Sequence, residues 1–219
     1  MINKDYILRL AEKFGRHLAI ILRLRQFDKH EEALIYIDDL LLSTVGLTSR
    51  FINSLSEEML IKSLSPLGIL NQEQCLWTAT LLKAEGEIYE EMNNPNESYY
   101  RYYKSLYLFL EVLLHGSIDS DSDFYLTVRE LLNILEDYEL PNTIKNTLFT
   151  YYEHIGNYAK AEDTLFELLE SEHSPDALLE RGHAFYIRLL TKSSSDLIAG
   201  NMSREEVMEG QTQLKEMEG

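Results

Sequence analysis

"NESYYRYYKSLYLFLEVLLHG", residues 96–116, decides the fold. Five tyrosines, a phenylalanine and five leucines fall in this stretch without a proline, and its only glycine stands at the end. Wound as a helix, Ser98, Tyr102, Ser105, Phe109 and Val112 line one stripe. Tyr99, Tyr103, Leu106, Leu110 and Leu113 line the next, and Arg101, Lys104, Glu111 and His115 leave a narrow polar strip. A helix that is apolar around most of its circumference is covered by neighbours on two sides. The stretch therefore reads as a central helix of an all-α protein rather than as an exposed aromatic surface. Tyrosine suits such a helix because the ring packs while the hydroxyl reaches the rim. Two small serines let another helix approach closely, and the polar strip predicts that Tyr100 and Lys104 tolerate alanine.

Working outward, the helical period recurs nearly everywhere. Ile7, Leu10, Phe14, Leu18, Ile21 and Leu22 form the apolar side of a first helix, with Arg9, Lys13, Arg16 and Arg23 elsewhere around it. A second helix, at about 29–45, buries Ala33, Ile37 and Leu40. "SLSEEML" reads as a cap and a short helix, and "SPLG" stops it. Asn71, with Gln74 three residues on, has the capping-box arrangement. The helix that follows carries Trp77, Leu81, Ala84, Ile88 and Met92 on one stripe and Glu73, Thr80, Lys83, Glu87 and Glu90 on the other side. "NNPN" then turns the chain into the opening stretch. Further helices are expected from Phe124 to Tyr138, from Ile144 to Ile155, from Ala161 to Leu168 and over "SPDALLERGHAFYIRLL". "TKSSSDLIAGN" reads as a linker, and Ser203 with Glu206 caps a weakly amphipathic tail helix. The expected organisation is one helical domain over residues 1–195, followed by a linker and C-terminal helix over 196–219.

Composition narrows the function classes. A formal charge of −17 repels phosphate backbones, so nucleic acid is not an expected partner. The single cysteine, Cys75, excludes an internal disulfide and a cysteine-rich zinc site. The amino terminus has no signal-peptide pattern, and no apolar run is long enough to span a bilayer, so a cytoplasmic location is expected. The charge is divided: residues 1–30 carry seven basic and three acidic side chains, net +4, and the remainder carries −21. Such asymmetry asks for a partner, internal or external. With the apolar side of the first helix leading straight into the next hairpin, packing onto the acidic body is the expectation, and membrane binding is not.

Three segments share a repeat-like pattern. In "LFTYYEHIGNYAKAEDTLFELLESEHSP" (148–175), Tyr152 precedes the Gly156-Asn157-Tyr158 turn, and Ala161 and Leu165 follow it. In "EGEIYEEMNNPNESYYRYYKS" (85–105), Gly86 and Tyr89 occupy the first helix, Ser98 stands at the small position and Tyr102 at the aromatic one. "RLRQFDKHEEALIYIDDLL" (23–41) echoes them through Ala33 and Ile37. These segments resemble tetratricopeptide (TPR) repeats. Phe149 departs from the pattern's small residue, and 48–70 and 116–141 lie outside it. The order of "DYILRLAEKF", "LRQFDKHEEAL", "SLSEEML" and "LLKAEGEIYE" resembles an uncharacterised TPR-like family of Gram-positive bacteria that carries no assigned activity. The resemblance implies antiparallel helical hairpins stacked as a short right-handed solenoid, with a concave ligand surface. It places Lys83, Glu87 and Glu90 from one repeat on that surface, and Asn146, Thr150, Glu153 and His154 from another. Glu87 stands where a carboxylate-clamping repeat has asparagine, so a basic or neutral segment is the compatible ligand.

Other patterns carry less. Asp119, Asp121 and Asp123 with Glu130 have the spacing of a calcium loop, but Phe124 occupies the place of the glycine that makes its turn. Glu170/His173 and Glu180/His183 are Glu-x-x-His pairs too close in the chain to face each other across a bundle. There is no Gly-x-Ser-x-Gly elbow and no phosphate-cradling glycine loop. The reading is a non-catalytic helical-repeat protein that binds a protein or peptide, with no metal and no cofactor. The alternatives are a structural homo-oligomer burying the same faces and, third, a small enzyme with an unrecognised carboxylate site.

Overall fold

The computed structural model describes residues 4–116, 118, 122–171 and 176–217, and of residues 4–11 the backbone alone. The side chains of Ile7, Arg9 and Leu10, together with Asp119, Asp121, His173 and Pro175, lie outside the described residues. The described residues form α-helices joined by turns and contain no strand. The chain divides into two compact units, Met1–Glu139 and Leu140–Gly219.

The first unit is built from α1 (Lys4–Gln26), α2 (His30–Val45), α3 (Ser49–Ser54), α4 (Glu57–Ser63), a 3-10 turn (Pro66–Gly68), α5 (Gln72–Glu91), α6 (Pro95–His115) and α7 (Phe124–Ile134). Its centre is the α5/α6 pair. Asn94 caps α6 and Pro95 supplies its preset first turn, so the short connection after Glu91 folds the two helices back antiparallel. Gly86 makes this close packing possible: a β-carbon there would come within 2.6 Å of the Tyr102 ring. Ser98 is buried in the same hairpin, and the Ser105 hydroxyl donates to the Ala79 carbonyl at 2.7 Å. The expectation for residues 96–116 holds: α6 packs on α5, α3, α4 and α7, and most of its side chains are buried.

The polar strip of α6 is a correction. Arg101 and Lys104 are not solvated; they are 7% and 1% exposed. Periodicity located the strip, but α3 and α4 lie over it. Lys104 Nζ donates to the carbonyls of Ile52 (3.1 Å), Asn53 (2.7 Å) and Leu55 (2.7 Å) at the end of α3, where helix ends leave carbonyls without helical partners. Arg101 pairs with Glu97 on its own helix and with Glu85 of α5 at 3.4 Å, and Glu85 also accepts from Ser49 at 2.6 Å. A second correction concerns Asn71. It caps α5 as expected, but the Gln74 side-chain Nε2 donates to the Thr44 carbonyl at 3.2 Å instead of the side chain closing a capping box.

The first helix docks through Phe14 and Ile21, but Leu22, expected on the same apolar side, is 51% exposed, because one residue past Ile21 it falls about 100° further round the helix. Phe14 is buried and meets Trp77 edge to face, with ring centroids 4.0 Å apart, and Ile21 is buried beside it. Arg25, near the end of α1, pairs with both Glu87 and Glu91 of α5, and His30 also reaches Glu91 at 3.1 Å.

The second unit contains α8 (Asn142–His154), α9 (Tyr158–Ser171), α10 (Asp176–Leu190), α11 (Ser194–Ala199) and α12 (Arg204–Glu216). Ala161 is fully buried where α8 and α9 pack, and Leu165 and Leu168 with it. Residues expected to be a linker instead form α11, capped by Ser193 and anchored by buried Leu197. Ser203 and Glu206 make the full capping box expected of them. The tail helix docks: α12 packs on α10 and buries Val207, Gly210 and Leu214.

Candidate functional site

The residues expected on a ligand surface fall into two sets, each engaged by cations of its own unit. In the first unit, Lys83 pairs with Glu87 at 2.6 Å and with Glu130 at 3.5 Å, while Glu87 also receives Arg25. In the second, Arg181 donates to Asn146 at 2.7 Å and to Thr150 at 3.3 Å, and Arg188 grips Glu153 through two bonds of 2.6 and 2.7 Å. His154 is exposed. Positions i, i+4 and i+7 of α8 thus face α10 across a polar seam.

Glu90 stands apart from these networks. It lines a cleft of about 420 Å³ with Asn93, Ser98, Tyr99, Tyr102, Ile134 and Tyr138. The cleft lies where the amino end of α6 meets the last turn of α5 and the end of α7. Its walls are ordered: Tyr99 stacks on Tyr138, with centroids 5.1 Å apart and planes at 23°, and the Tyr99 hydroxyl donates to the Glu139 carbonyl at 2.8 Å. Tyr102, held against Gly86, donates its hydroxyl to Glu90 at 2.8 Å. Burial, reinforced by the hydrogen bond to Glu90, raises the Tyr102 pKa; burial does the same for Tyr99. Both stay neutral phenols: Tyr102, its ring buried, supplies the donor to the carboxylate, while Tyr99 and the exposed Tyr138 supply the aromatic wall.

Aromatic faces beside an exposed carboxylate favour a cation. A guanidinium or ammonium gains from the ring quadrupoles and from the free lone pairs of Glu90 at once. The size is that of a pocket for a side chain and its flanking backbone. Sequence reasoning found Glu90 but not Tyr99 and Tyr138, which lie far apart in the chain. The signal available was the Asn93-Asn94-Pro95 turn, which exposes the first residues of α6.

Glu85 and Cys75 are among the groups with strongly shifted pKa values inside the first unit. Burial pushes the Glu85 carboxyl up to about 7, against the pull of Ser49 and Arg101. At 2% exposure it faces protein on all sides, so its shift reports packing rather than a reacting group. Burial pushes the Cys75 thiol up to about 12, which keeps it protonated and unreactive at neutral pH. Among the described residues no group of three His, Cys, Asp or Glu side chains is arranged to hold a metal, and no helix is long and apolar enough to cross a membrane.

No curated protein and no solved structure matches the chain. A family model does, over residues 1–219, and the chain belongs to that family, a family of unknown function (DUF6483).

Proposed function

We propose that this member of DUF6483 is a non-catalytic, TPR-like helical-hairpin module that binds a protein or peptide, and that it holds a lysine or arginine side chain of its partner in the tyrosine cleft. The observation that carries the reading is the exposed Glu90 carboxylate set among Tyr99, Tyr102 and Tyr138 in a cleft of about 420 Å³. The net charge of −17 supports it, because an acidic body draws a cationic segment toward the cleft and accelerates encounter. The TPR-like reading draws support from the contact of Gly86 with Tyr102 and from Ala161, buried where its hairpin closes. A solenoid of such hairpins in the cytoplasm is part of the same proposal.

The test is a fluorescein-labelled peptide with two arginines spaced by glycine, titrated into wild type, Glu90→Gln and Tyr138→Ala at about 0.15 M salt. Each substitution is expected to weaken binding about tenfold with an unchanged melting temperature. Equal affinity in all three proteins would remove the cleft from the function.

A further inference from the structure

Opposite its buried side, α1 carries a second face that the fold does not use. Arg16, Ile20 and Arg23 follow one another along it, with Phe27 just past its end, and all four are exposed. Ile20 is 44% and Phe27 65% exposed, and neither arginine has a carboxylate partner among the described residues. The basic excess of residues 1–30 is therefore only partly consumed by Lys13 with Glu73 and by Arg25 with Glu87 and Glu91.

The second unit has the complementary feature. A groove of about 500 Å³ runs between α9 and α12, with Phe166 in its wall and Asp163, Glu170 and Glu209 along its edges. Those three carboxylates have no cationic partner among the described residues. Gly210 holds α12 close to its neighbours, since a β-carbon there would meet the Glu162 carboxylate and the Tyr186 hydroxyl at 2.3 Å. Glu162 is raised in pKa by burial and by its neighbours Asp163 and Glu206, a repulsion that an occupant of opposite charge would relieve.

We propose that the outer face of α1 docks on a second copy of this chain, laying Arg16, Ile20, Arg23 and Phe27 into the acidic α9/α12 groove of that copy. Charge complementarity selects the occupant: basic and apolar residues alternate on one face, and carboxylates flank an aromatic ring on the other. The lengths agree, the α1 face covering about 16 Å and the groove about 12 Å along α9 at 1.5 Å per residue. This is helix-in-groove recognition. The contact joins unlike surfaces, so it extends from copy to copy unless it closes on itself. It does not depend on the tyrosine cleft.

Light scattering coupled to size exclusion tests the proposal on the full chain. At about 0.01 M salt the mass should exceed the 25.5 kDa of one chain and rise with concentration, and at about 1 M salt it should return to one chain. Arg16→Glu with Arg23→Glu should give monomers, as should Asp163→Lys with Glu209→Lys, all at exposed positions. An equimolar mixture of the two variants should form a complex again, because each retains the surface the other lacks. Monomeric wild type at low salt, association that survives both double substitutions, or a mixture that stays monomeric would overturn the proposal. So would binding to phosphatidylserine vesicles that needs Arg16 and Arg23 while the protein stays monomeric, which would give the face to a membrane. Arginine-peptide binding at the tyrosine cleft is read separately, and its loss leaves these outcomes unchanged.

Discussion

Lys104 Nζ lies 2.7 Å from the carbonyl oxygen of Leu55, and with it a cation of α6 caps the end of α3 from inside the protein. Burial lowers the Lys104 pKa to about 8, and among the described residues no carboxylate is bonded to it. Lys104→Met keeps the volume but leaves the Asn53 and Leu55 carbonyls without their donor, so it should destabilise the first unit by about 2 kcal/mol. Tyr100→Ala, at a 49% exposed position on the next turn, should change stability by less than about 0.5 kcal/mol. Urea denaturation of both variants checks the contrast.

The buried carboxyl of Glu85 should make stability fall as pH rises. Its folded pKa of about 7 lies above the ordinary 4.5. Between those values the folded state binds more protons than the unfolded one, so the contribution is full below 4.5 and lost as pH climbs through 7. Lys104 works in its own window: between about 8 and 10.5 the unfolded state binds more protons, and stability recovers as pH rises. Melting temperatures across pH should show the first decline in wild type and not in Glu85→Gln.

Gly86→Ala should cost about 2 kcal/mol, although alanine is the better helix former by about 1 kcal/mol. The added β-carbon would meet a Tyr102 ring that is 2% exposed and tied to Glu90. Ser98→Trp and Ala161→Trp overpack the corresponding closures of the two hairpins, at about 1–3 kcal/mol each. Wild-type melting temperatures in these variants would contradict the hairpin packing.

Phe14→Ala should cost about 3 kcal/mol and change the emission of Trp77, the protein's single tryptophan, which Phe14 meets edge to face. Lys13→Gln removes an ion pair of 3.9 Å between partly exposed side chains, and its effect should stay below about 1 kcal/mol. An equal loss in the two variants would mean that charge, rather than the apolar stripe, holds α1 in place.

Much of this architecture is legible in the residues. The second helix, the Ser203–Glu206 capping box and the approach of Gly86 to Tyr102 follow from local chemistry at short spacing. What covers a helix does not. A helical wheel places Arg101 and Lys104 on one strip, but only the path of residues 48–63, which fit no repeat, shows that the strip is roofed. In the same way, the charge division predicts that the first helix meets an acidic body without naming Glu87 and Glu91 as the receivers of Arg25. The cleft needs Tyr99 and Tyr138 stacked across thirty-nine positions of chain, a contact that no periodicity encodes.

The most direct test of the cleft is the aromatic NMR spectrum of the full chain during titration with acetyl-Gly-Arg-Gly-amide, with the citrulline peptide as the neutral isostere. At about 0.15 M salt the long-range pull of the acidic surface is screened, so a specific site stands out. The ring resonances of Tyr99, Tyr102 and Tyr138 should shift together and saturate with arginine, barely respond to citrulline, and lose about tenfold in affinity in Glu90→Gln. Shifts spread over the acidic surface without saturation, or a response unchanged in Glu90→Gln, would contradict a cation-binding cleft.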